Sequence, residues 1–208
     1  MAVTYGYLCE DKALELFVEE TLIRLGPKSK CKVFEKNVEF CDRFKAISGR
    51  GRNEIIARYA EAAKIAISEK KLNLFIAAYD FDHFKTDGYE STLKKQIDEL
   101  SIKTRNKSVM CVPVQCVEYW FWYVKHASDI SAPINNFLEA NSEFNRHFIK
   151  SDVYERALDE KGKYPGQSAA TELAKARIIL EKFDLDKLES LSPSFAHFVA
   201  QIKRFCNT

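Results

Sequence analysis

Three carboxylates stand where this chain could hold a metal ion: Glu10 in "TYGYLCED", and Asp80 and Asp82 in "LNLFIAAYDFDHF". In extended chain, residues two apart point to the same side, so Asp80 and Asp82 can face one ion with Phe81 opposed. Such hard oxygen donors suit Mg²⁺ or Mn²⁺ rather than zinc. Taken alone, each part has a plainer reading. An acid after an apolar run is often only the first polar residue beyond the core, and paired aspartates arise by chance in many chains. Glu10 changes the weighting, because it also follows an apolar segment. Acids gathered from two strand ends repel one another unless a cation sits among them. Glu118, in "CVEYWFWYVKH", precedes an aromatic run and is either a further ligand or a cap on the helix that follows. His83, next after the aspartate pair, stays open between ligand, neighbour of a ligand and exposed residue.

Strands and helices must bring these acids together. "TYGYLCED" reads as a short first strand, and "KALELFVEETLIRLG" as a helix with Leu14, Phe17, Val18, Leu22 and Leu25 on one side. Gly26 and Pro27 then end it. "KCKVFEKNVEF" offers a second strand. "IIARYAEAAKIAISEKK" is a second helix, with Ile55, Ile56, Tyr59, Ala63 and Ala66 along one face. "LNLFIAAYDFD" is apolar almost without interruption, as in a parallel strand buried on both sides. "GYESTLKKQIDELSIK" reads as one helix, and "SVMCVPVQCVEYWFWYVKH" as a strand running into another. From Ser131 on, only helical patterns recur. The expected architecture is α/β, with a Rossmann-like, mostly parallel sheet over residues 1–127 and a helical C-terminal extension over 128–208. Ligands in such sheets gather at the carboxyl ends of strands, where Glu10 and Asp80 fall.

Composition narrows the partners. A chain of 208 residues with 46% hydrophobic residues, 7 glycines and 5 prolines has room for one sizeable core. Its formal net charge of +2 is low for a nucleic-acid-binding domain, so contact with nucleic acid has to come from local patches or a bound cation. The six cysteines form no CxxC pair, and the N-terminus has no signal-peptide pattern, so the expectation is a cytoplasmic protein with reduced thiols. "YWFWYV" is too short to span a bilayer.

The motifs "CEDKALELF", "AAYDFDHF", "CVEYWFWYVKH" and "LSPSFAHF" follow one another in an order that resembles the Toprim family, and within it the small bacterial RloB-like and OLD-type defence-associated proteins. That family carries a Glu after the first strand, a DxD, an ExW motif and in some members a PSF helix. This chain has Asp11 where Toprim proteins commonly carry Gly. The resemblance implies Mg²⁺- or Mn²⁺-dependent hydrolysis of phosphodiester bonds in DNA or RNA, with Asp80 and Asp82 on the metal and Glu10 as general acid/base or ligand. It further implies a role in anti-phage defence alongside a partner such as an ATPase. The chain has no room for the added domains of a topoisomerase or a primase.

Other residues fit such chemistry with plainer readings beside them. Arg50 and Arg52, in "SGRGRNE", precede a helix start suited to phosphate, but the stretch reads more simply as a solvated loop. Lys163, in "EKGKYPGQ", occupies a loop that the relatives place after the ExW unit; there it reaches a substrate phosphate or simply forms a surface turn. Trp120 and Trp122 read as core or subunit interface, because no basic residues interleave the run. A haloacid-dehalogenase phosphatase also uses DxD, but after its first strand and followed by Thr or Val where Phe84 stands here. The rival to an enzyme is a non-catalytic Toprim-like partner or regulatory module of an ATPase; a homo-oligomer is open under either reading.

Overall fold

The computed structural model describes residues 2–44, 51–81, 88–128, 146–155 and 169–207. They fall into two compact units. The first takes in Met1–Tyr79, Gly88–Val112 and His197–Thr208, and the second Asp80–Asp87 and Pro113–Ala196.

The first unit holds four parallel strands, β1 (Ala2–Cys9), β2 (Val33–Lys36), β3 (Leu74–Ala78) and β4 (Ser108–Cys111), in the order β2-β1-β3-β4. This is the expected α/β class. All five residues of β3 are buried, which explains its unbroken apolar run: β1 and β4 cover its edges and helices its faces. β2 lies at an edge, and Val33 is 52% exposed there. Helix α1 (Lys12–Leu25) buries Leu14, Phe17, Val18, Leu22 and Leu25, the stripe its spacing predicts. Asp11 starts it by accepting a hydrogen bond from the Leu14 N–H at 2.8 Å. The residue that departs from the Toprim pattern thus serves as a helix cap.

Three expectations meet physical limits. β2 takes only part of "KCKVFEKNVEF", because Asn37 accepts from the Phe40 N–H at 2.8 Å and turns the rest into helix α2 (Val38–Phe44). The long helix expected after Gly88 is two: α4 (Tyr89–Asp98) and the single turn α5 (Ile102–Arg105), which Ser101 caps through the Thr104 N–H. α3 (Arg52–Lys64) passes into a π-helical turn, Ile65–Glu69, whose wider spacing buries Ile65, Ala66 and Ile67 in succession. Ile56 is only half-buried.

Gly6 is packed so closely that a Cβ there would stand 2.4 Å from Phe40 Cδ1 and 2.9 Å from Leu72 Cδ1. Gly6→Ala is expected to destabilise the protein by about 1–3 kcal/mol in chemical denaturation, since both neighbours sit in the core.

The free side of β4 is met by helix α10 (Pro193–Asn207), of which His197–Asn207 belongs to this unit. Gln201 Nε2 donates to the Met110 carbonyl at 3.0 Å, and its Oε1 accepts from the Met110 N–H at 3.0 Å. Near the end of the same helix, Cys206 is bonded to Cys31 with their Cα atoms 5.4 Å apart. The expectation of six reduced thiols is therefore corrected to four, Cys9, Cys41, Cys111 and Cys116, all buried.

The second unit is helical among its described residues. α6 (Glu118–Lys125) packs against α7 (Arg146–Val153), α8 (Ala169–Glu181) and α9 (Leu185–Leu191). Its aromatic run is core: Trp120 is fully buried, its indole N–H donates to Ser194 Oγ at 2.9 Å, and its ring meets Phe195 edge-on. Trp122 is half-buried. Among the described residues, no helix is long and apolar enough to cross a membrane.

Candidate metal centre

Asp80 is the first residue beyond Tyr79 and belongs to the second unit. It is 1% exposed, and its Oδ1 accepts from the Val117 N–H at 3.0 Å. The next residue, Phe81, donates its N–H to the Pro113 carbonyl at 3.0 Å. These two bonds tie the chain at Asp80 to the segment leading into α6. Val117 precedes the first residue of α6, so Asp80 satisfies a donor at the helix start, where the peptide dipoles also favour negative charge.

Glu118 opens α6 and is 3% exposed. Lys150 Nζ lies 2.8 Å from its Oε1, and Tyr154 Oη donates to the same oxygen at 3.4 Å. Cys116, fully buried, lies between Asp80's backbone partner and the Pro113 turn in sequence. Asp80, Cys116 and Glu118 each offer one ligand atom, and these atoms all lie within 4.8 Å of one another. Two buried carboxylates this close repel each other when both are ionised, and a divalent ion relieves that repulsion.

The expected site residues are distributed unevenly. Asp80 and Glu118 come together. Glu10 follows β1 in the first unit, half-buried, with its N–H donating to the Ala78 carbonyl at 2.9 Å. β1 pairs with β3 in the register Cys9↔Ala78, so Glu10 and Tyr79 continue neighbouring strands. Arg52 opens α3, half-buried. Burial pushes the nearby Tyr79 hydroxyl up to about 12, against the pull of its bond to Gln96 and the Arg52 charge. Asp82, Arg50, Lys163 and His83 lie outside the described residues.

Cys116 and Lys150 are the members that sequence reading passed over. Cys116 has no zinc-type spacing to announce it. Lys150 and Tyr154, one helical turn apart, share a face, a signal legible only once Glu118 is known to be buried beneath them.

Comparison with family models, curated proteins and solved structures finds no match to this chain. The Toprim resemblance rests on its motifs alone.

The donor set fits a divalent cation, with a preference the sequence did not reveal. Carboxylates suit Mg²⁺ and Mn²⁺, while a thiol in the same cluster favours softer first-row ions over Mg²⁺. The expected Mg²⁺ or Mn²⁺ ligands are Glu10, Asp80, Asp82 and Glu118; with Asp82 outside the described residues, the cluster among the described residues joins Cys116 to Asp80 and Glu118.

Proposed function

We propose that the chain is a metal-dependent phosphodiesterase of the Toprim-like kind, acting on DNA or RNA. The observation that carries this reading is Asp80, buried beyond the end of the central strand and gathered with Glu118 and Cys116 within ligand distance. Asp80 and Glu118 would hold the ion, with Cys116 in reach. A bound divalent ion supplies Lewis-acid stabilisation of the charge that builds on the phosphate oxygens.

The chain's own groups have definable tasks. The Val117 N–H fixes the direction of the Asp80 carboxylate, and Lys150 with Tyr154 holds that of Glu118. In the hydrolysis, water adds to phosphorus, the bond from phosphorus to the leaving oxygen breaks, and the proton from water ends on the leaving group. Glu10 is the acid/base that the resemblance assigns to that proton.

A second reading has one observation in its favour: the Lys150–Glu118 pair is what a purely structural buried ion pair looks like. In that reading the chain is a non-catalytic Toprim-like partner or regulatory module of an ATPase. The test is calorimetric titration of the purified full chain with Mn²⁺ and Mg²⁺, followed by incubation with labelled single- and double-stranded DNA and RNA. Binding of Mn²⁺ with strand cleavage supports the enzyme. Intact nucleic acid and no heat with either ion overturn it.

A further inference from the structure

The first unit contains a cavity of about 570 Å³ bounded by α4, α5, β4 and the later turns of α10. That volume is in the range of small-molecule sites. Its apolar part comes from Leu93, Ile97, Val109 and Phe205, the last an aromatic ring. Three cations, Lys94, Arg105 and Arg204, line it against the one acid Glu90. Lys94 and Arg204 are exposed, and among the described residues neither makes an ion pair.

Arg105 is different. Its Nη1 lies 3.1 Å from Asp98 Oδ1, and its Nη2 donates to the carbonyls of Asp98 at 2.6 Å and Leu100 at 3.3 Å. The guanidinium is thus held in one orientation. Its Nε is nevertheless buried with no hydrogen-bond partner. Arg105 also lines the cavity, so an anion arriving there meets a positive charge already fixed in place. Asn106 and His197 add polar groups to the same lining. Burial holds the His197 imidazole below its ordinary value against the opposing Glu90 charge, so at neutral pH it offers a hydrogen bond rather than another positive charge.

We propose that this cavity binds a mononucleotide-class ligand, its phosphate among Arg105, Lys94 and Arg204 and its planar ring on the apolar side with Phe205. A guanidinium recognises phosphate oxygens directionally, and a flat ring fills apolar space beside an aromatic side chain. None of these residues belongs to the metal cluster, so the inference stands apart from the phosphodiesterase reading.

The experiment is isothermal titration of the full chain, with EDTA present throughout, using the 5′-monophosphates of adenosine, guanosine, cytidine and uridine, then adenosine alone and inorganic phosphate alone. EDTA removes divalent ions, so failure here is distinguishable from failure of the metal centre. At least one monophosphate is expected to bind, with the matching nucleoside and phosphate at least about tenfold weaker. Lys94→Ala and Arg204→Ala are each expected to weaken it about tenfold, the scale of one charge-assisted contact. Both side chains are exposed, so these variants keep the fold. No heat with any monophosphate up to about 1 mM overturns the proposal. So does binding that neither substitution weakens, or phosphate binding as tightly as the nucleotide.

Discussion

Asp80→Asn is expected to abolish the rise in melting temperature that Mn²⁺ brings to the native chain, and to cut metal-dependent cleavage at least about a hundredfold. The asparagine keeps a carbonyl oxygen where Asp80 Oδ1 accepts the Val117 N–H, and it removes a negative charge that lies buried near Glu118. The metal-free protein therefore keeps its stability while the ion loses a ligand. Asp80→Ala is expected to lose cleavage too, but also about 1–3 kcal/mol of stability, because the buried Val117 N–H is left without its acceptor. Comparing the two variants by thermal unfolding with and without Mn²⁺ separates the fold's need for an acceptor from the ion's need for a charge. If Asp80→Asn binds Mn²⁺ as tightly as the native chain, the ion is held elsewhere.

Cys206→Ser is expected to lower stability by about 2–5 kcal/mol, equivalent to a melting temperature lower by about 4–20 °C. The bond joins residues 175 apart in sequence, so in the unfolded chain it closes a loop spanning most of the protein. Most of the stabilisation comes from the freedom this loop denies the unfolded state. A reductant should destabilise the native protein by a similar amount and leave Cys206→Ser unchanged. The buried Cys9 and Cys41 thiols do not complicate the experiment. Burial pushes the Cys9 thiol up and the Cys41 thiol up to about 11, so neither offers much thiolate to attack the bond. Equal melting temperatures with and without reductant would show that the bond adds nothing.

What the sequence made legible was local. The five buried apolar residues of α1 repeat at helical spacing, and the apolar run of β3 demands cover on both faces; each signal fits within one window of chain. The end of β3, where burial gives way to Asp80, could be seen for the same reason. The break between α4 and α5 was missed because "YESTLKKQIDELSIK" is helix-forming throughout, and the capping Ser101 is a weak signal within it. The partners of Glu118 and Cys31 were not legible for a different reason. Lys150 and Cys206 lie 32 and 175 positions away, and nothing in their own neighbourhoods marks them. Pairings of that kind are decided by the packing of whole elements, which no periodicity encodes.

The Gln201 amide on Met110 has a consequence for how chains of this protein meet one another. A sheet normally ends in a row of unsatisfied donors and acceptors that can recruit a strand from another molecule. On the β4 side, a side chain already fills the place a visiting peptide group would take, donor to acceptor and acceptor to donor. An incoming strand would have to displace it first. That margin of the sheet is therefore closed by a side chain acting as a stand-in peptide group, carried on a helix that lies along it.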